Sequence, residues 1–152
     1  MNTKSEPNRQ PRILLVDDDS DHLALCTRWL SLSGYQVDSV DSGSEALARL
    51  EQTRPDLVIS DLIMDGMSGL RLLSEIHRQD PVLPTMIVSG KAGVPDALEA
   101  AHRRALPVAV INGRVGERSG RRLARYPGLT RKLFFDAVAA FEDVVALMAV
   151  ED

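Results

Sequence analysis

The 152-residue chain has one cysteine, Cys26, which excludes an internal disulfide and any cysteine cluster for zinc. Cys26 falls in an apolar helical stripe and reads as a buried, inert thiol. Histidine is equally sparse: His22, His77 and His102 fall on three different predicted helices, which argues against a histidine metal cluster. No apolar run approaches the roughly 20 residues that a membrane-spanning helix needs. The start of the chain, Met1 to Gln10, lacks the apolar core of a secretion signal, so the cytoplasm is the expected compartment and no membrane partner is expected. An excess of positive charge is missing too. A net charge of −4 argues against nucleic acid as the main partner. No repeat at solenoid spacing is present.

What is there is a core-forming chain. An apolar fraction of 44% is enough to bury a real core. Residues 1–11 read as a flexible tail. Ile13 to Val16 is a short apolar strand, and Asp19 or Ser20 can cap the helix that follows, with Leu23, Leu25, Cys26, Trp29 and Leu30 at mostly helical spacing. Gly34 suits its left-handed C-terminal position. Tyr35 to Val40 alternates as a strand. Ser42-Gly43-Ser44-Glu45 is a capping box ahead of Ala46, Leu47 and Leu50, and Pro55 marks the end of that helix. Leu57 to Ser60 has no polar face, as a strand covered on both sides requires. Ser68 caps a helix carrying Leu70, Leu72, Leu73 and Ile76. Thr85 to Val88 and Val108 to Ile111 are further strands, with a helix from Pro95 to about Arg104 between them. Strand-then-helix order with short links predicts an α/β fold, a doubly wound five-stranded parallel sheet with helices on both faces.

Two of these strands end in carboxylates. Asp17-Asp18-Asp19 closes the first, and Asp61 closes Leu57 to Ser60. Strand C-terminal ends in a parallel sheet face one crevice, where open α/β folds place their chemistry. Several carboxylates converging there repel one another unless a cation joins them. The pattern therefore predicts a Mg²⁺ site with one carboxylate left to react.

The segments Ile13-Leu14-Leu15-Val16-Asp17-Asp18-Asp19, Asp56-Leu57-Val58-Ile59-Ser60-Asp61-Leu62-Ile63-Met64, Gly66-Met67-Ser68-Gly69-Leu70 and Met86-Ile87-Val88-Ser89 occur in that order over residues 12 to 104. In this combination the chain resembles a response-regulator receiver domain, the phosphoacceptor module of two-component signalling. The resemblance implies a flavodoxin-like sheet. It implies that Asp61 takes a phosphoryl group from a histidine kinase or phosphotransfer protein. It also implies that Asp18, Asp61 and the backbone carbonyl of Ile63 bind Mg²⁺, with Asp17 acting through a metal-bound water and Asp19 belonging to the helix start. Ser89 takes the place of the hydroxyl residue that binds a phosphoryl oxygen. Lys91 and Ile63 flank the phosphate. A downstream protein target is implied, reached by protein–protein contact.

The chain departs from the family in three places. Asp65 stands where the family usually has proline; it reads as a solvated turn residue or as a further acidic contact near the metal. Ile111 stands at the position of a lysine that ends the fifth strand, with Asn112 at that of the following proline. Val108 stands at the position of an aromatic switch residue. Beyond Ile111, residues 112–129 form an Arg/Gly-rich linker: from 112 to 128 there are five arginines and four glycines. Arg114 or Lys91 could substitute for the absent lysine, though Arg114 reads first as a solvated arginine and Lys91 equally as a plain surface lysine. Basic runs can bind nucleic acid or an acidic partner, but no DNA-binding motif is present, and a solvated linker is the reading adopted. Residues 130–152 form an amphipathic helix with Phe134, Ala137, Val138, Phe141, Val144, Val145 and Met148 on one face. This atypical C-terminal linker and helix could cover the sheet or pair two chains as a homodimer. A reading frame shifted after about Ala101, or a replacement of the usual last helix, would each produce such a tail. The expected organisation is thus tail 1–11, receiver 12–111, linker 112–129 and helix 130–152.

Two other functions remain in play. A degenerate receiver would act as an interaction module without phosphate. A Mg²⁺-dependent phosphohydrolase with an aspartate nucleophile usually carries a second aspartate two residues on, and Ile63 holds that place here.

Overall fold

The computed structural model describes residues 9–88 and 110–111. The elements are β1 (Arg12–Val16), α1 (Ser20–Leu32), β2 (Gln36–Val40), α2 (Gly43–Gln52), β3 (Leu57–Asp61), α3 (Gly69–Gln79), β4 (Thr85–Val88) and β5 (Val110–Ile111). Every strand pairing is parallel, in the order β2-β1-β3-β4-β5, which is the flavodoxin-like order. The sheet has four full strands. Of the expected fifth strand, Val108 to Ile111, the described residues Val110 and Ile111 pair at the edge, Ile87 with Val110 and Val88 with Ile111. The helix expected after Pro95, the linker and the C-terminal helix lie outside the described residues.

Period-two alternation in β1 sorts the core into two layers. Ile13 and Leu15 pack with Leu57, Ile59, Met86 and the α1 residues Cys26 and Leu30. Leu14 and Val16 pack on the other face with Val58, Val40, Ala46 of α2, and Leu72 and Ile76 of α3. Helices therefore cover both faces, as the uniformly apolar β3 requires. Leu57, Val58 and Ile59 are all 2% exposed or less. Each such side chain contributes about 1.5–3 kcal/mol on burial.

The helix boundaries follow from local chemistry. Asp19 is the N-cap of α1, its carboxylate accepting from the N–H groups of Asp21 and His22. Gly34 follows the α1 C-cap with φ +97, a conformation that glycine adopts without strain. Ser42 accepts from the N–H of Glu45 at the start of α2, and Ser68 from that of Arg71 at the start of α3. Among the described residues, no helix is long and apolar enough to cross a membrane.

Candidate metal and acceptor site

The register places the tips of β1 and β3 side by side, with Val16 opposite Ser60. Asp17 follows one tip and Asp61 ends the other. One carboxylate oxygen from each of Asp17, Asp18 and Asp61 can be chosen such that all three lie within 4.8 Å of one another. The three differ in environment. Asp17 is buried at 3% exposure, Asp61 is half-buried and Asp18 is exposed.

Each acid is held differently. Asp17 Oδ1 accepts the N–H of Asp19 at 3.0 Å, and Oδ2 pairs with Nδ1 of His22. Asp18 Oδ2 accepts the N–H of Asp65 at 3.0 Å. Burial pushes the Asp61 carboxyl up to about 6, and the neighbouring charge of Asp17 adds to the shift. Hydrogen bonds from the Leu62 and Ile63 N–H groups, and the charge of His22, oppose it. His22 is pushed up to about 10, chiefly by its hydrogen bond to Asp17 and then by Cys26, against the cost of burial.

An all-oxygen donor set with one raised carboxyl fits Mg²⁺, which takes one or two carboxylates, waters and a phosphate. The Asp61 carboxyl is raised by burial first and by the charge of Asp17 second, and a divalent ion beside it would offset both.

The β3–α3 connection is shaped closely around Asp61. Gly66 sits at φ +79. Gly69, the first residue of α3, donates its N–H to the Leu62 carbonyl at 2.9 Å. A Cβ at Gly69 would collide with the Asp61 carbonyl oxygen. Ile63, two residues past Asp61, is half-exposed at the lip of the site.

The structure brings Asp17, Asp18 and Asp61 together and places Asp19 as the N-cap of α1. Ser89 and Lys91 lie outside the described residues. Met64 is buried and Met67 packs beside the same core, so both are packing residues. Asp65 enters the site through its backbone N–H while its side chain stays exposed. Sequence reasoning missed His22. It looked for histidines near one another, whereas the relevant partner is the acid five residues earlier across the strand–helix turn.

Comparison with known proteins agrees with this geometry. Residues 13–108 match the response regulator receiver domain. The transcriptional regulatory protein GlrR of Escherichia coli is 40% identical over 96 residues, 63% of this chain and 22% of GlrR. The chain therefore spans about a fifth of that relative's length. The receiver domain of NtrX from Brucella abortus superposes with a TM-score of 0.61 at 31% identity, covering 75% of this chain and 99% of that one. The response regulator TrrA of Thermotoga maritima, solved in complex with Mg²⁺ and BeF, superposes with a TM-score of 0.60 at 29% identity, covering 67% of this chain and 86% of that one. With a family match across most of its length and the acids of two strand tips gathered in one crevice, this chain belongs to the response regulator receiver domain family.

Proposed function

We propose that this protein accepts a phosphoryl group on Asp61 from a histidine kinase or phosphotransfer protein, in a Mg²⁺-dependent phosphorelay, and signals by protein–protein contact. The observation that carries this reading is the convergence of Asp17, Asp18 and Asp61 within 4.8 Å. A carboxylate oxygen of Asp61 attacks phosphorus, an O–P bond forms, and the bond from phosphorus to the donor nitrogen breaks, its electron pair staying on the donor imidazole. Positioning and charge neutralisation carry most of such a transfer. Asp18 and Asp61, with the Ile63 carbonyl, would hold Mg²⁺ directly, and Asp17 through a water. Bound there, the ion supplies positive charge to the acids and to the phosphoryl oxygens. The N–H groups of Leu62 and Ile63 orient the Asp61 carboxylate, and the Asp65 N–H fixes Asp18. Ser89 would donate its hydroxyl to a phosphoryl oxygen.

The test is incubation with Mg²⁺ and acetyl phosphate, followed by intact-mass measurement. Wild type should gain about 80 Da, the mass of one phosphoryl group, and Asp61→Asn should gain nothing. A wild type that stays unmodified would instead favour the degenerate receiver, an interaction module independent of phosphate. What supports that second reading is Ile111, which stands where the family has a lysine.

A further inference from the structure

His22 stands outside the donor set just described, yet it touches the site at its most buried point. Asp17 is 3% exposed, and a buried carboxylate is costly unless hydrogen-bonded donors face it. One donor, the Asp19 N–H, comes from the turn itself. The other is the His22 ring, whose Nδ1 must be the donor because an ionised carboxylate only accepts. The opposite ring nitrogen, Nε2, lies 3.9 Å from Sγ of Cys26, one helical turn further along α1 and 1% exposed. The ring is thus held at both edges, by a strand tip and by a buried thiol. Its backbone is fixed as well, since the His22 N–H donates to the Asp19 cap at 3.2 Å. With a donor on each oxygen, the Asp17 carboxylate cannot rotate freely, and its remaining lone pairs stay available to the cluster formed with Asp18 and Asp61.

We propose that His22 is a positioning residue of the acidic site, orienting Asp17 through Nδ1–H so that the three acids receive a divalent cation together. The inference rests on reading Asp17, Asp18 and Asp61 as a Mg²⁺ site. It adds to that site a side chain on α1 that never touches the metal. Groups that hydrogen-bond metal-ligating or water-ligating carboxylates set metal affinity by preorganisation, and their loss weakens binding about 10–100-fold. The substitution that isolates the effect is His22→Phe, which keeps the ring and removes both nitrogens. His22→Asn is the conservative control, because its side-chain N–H₂ sits at the same δ position as the His22 donor.

Calorimetric titration of the full chain with Mg²⁺ reads the effect, alongside thermal melts in cation-free buffer. His22→Phe should bind Mg²⁺ about 10-fold more weakly, and His22→Asn should recover most of the affinity. Equal affinity in wild type and His22→Phe overturns the positioning role while leaving the Mg²⁺ site intact. An asparagine variant as weak as the phenylalanine one overturns it too, because a donor at the δ position would then be insufficient. A wild type that binds no Mg²⁺ removes both the site and this role. Should His22→Phe fail to fold, the imidazole nitrogen spectrum of the wild type decides. A slowly exchanging Nδ1 proton that shifts on Mg²⁺ addition supports the assignment, and a rapidly exchanging one overturns it.

Discussion

At the scale of single residues, the candidate site holds Asp61 in an electrostatically unfavourable place. Asp61 ends a buried strand beside Asp17, and both burial and that neighbour disfavour its charged form. Its folded value of about 6 lies above the ordinary 3.8, so the carboxyl stabilises the fold only while protonated. That contribution is full below the unfolded value and is lost as pH rises through about 6. Asp61→Asn should therefore raise the melting temperature in cation-free buffer. The gain should be on the order of 1 kcal/mol after discounting for solvent screening, and larger at about pH 8 than at about pH 5. A wild type that melts higher than the variant at both pH values would contradict this. The opposite sign holds at Asp80, where the Arg54 guanidinium, 2.7 Å away, keeps the carboxyl below its ordinary value. Stability from this pair is present above the unfolded pKa and fades as pH falls through the folded one. Both side chains are substantially exposed, so a double-mutant cycle on Arg54 and Asp80 should return a coupling below about 1 kcal/mol that shrinks with added salt.

At the scale of elements, the β3–α3 connection couples the fold to the chemistry. Ser68 caps α3, and Gly69 begins it hard against the Asp61 backbone. Any side chain at residue 69 must push α3 and the strand tip apart. Gly69→Ala should cost about 1–3 kcal/mol, as overpacking does, measured by denaturant unfolding. If Asp61 is the acceptor, as proposed, the substitution should also slow phosphoryl transfer by more than the loss of folded protein explains, because the carbonyl it displaces belongs to Asp61. An unchanged transfer rate in folded Gly69→Ala would show that the close approach serves packing alone. Most of these element boundaries were legible in the sequence. Asp19, Ser42 and Ser68 announced helix starts, Gly34 announced a helix end, and the unbroken apolar β3 announced a central strand. Of the fifth strand, Val110 and Ile111 are the described residues, and both pair with β4.

At the scale of the whole molecule, a ligand that binds the folded chain and not the unfolded one stabilises it by mass action. If the acids of β1 and β3 bind Mg²⁺, the ion at 100 times its dissociation constant should raise the unfolding free energy by about 2.7 kcal/mol. Asp18→Ala, exposed and outside the core, should fold normally and lose most of that increment. A Mg²⁺-dependent melting shift of equal size in the variant would place the ion elsewhere. Asp61 ends β3 and Asp18 lies in the loop after β1, and the β1–β3 register brings these two strand tips side by side. Their coupling is thus a property of the sheet, and disruption of the shared core beneath it, at Leu15 or Ile59, should weaken metal binding along with stability.

The sequence by itself determined the alternation of strands and helices, the two apolar layers, the caps and the identity of the three acids, because each is written in local spacing and residue type. The tertiary structure alone decided which donors face those acids. The contact of His22 with Asp17 depends on the angle at which α1 leaves β1. The contact of Asp65 with Asp18 depends on two loops meeting at the same end of the parallel β1–β3 pair, through a backbone N–H that no side-chain pattern encodes. Both are consequences of packing helices on a twisted sheet, where residues meet by direction as well as by distance along the chain.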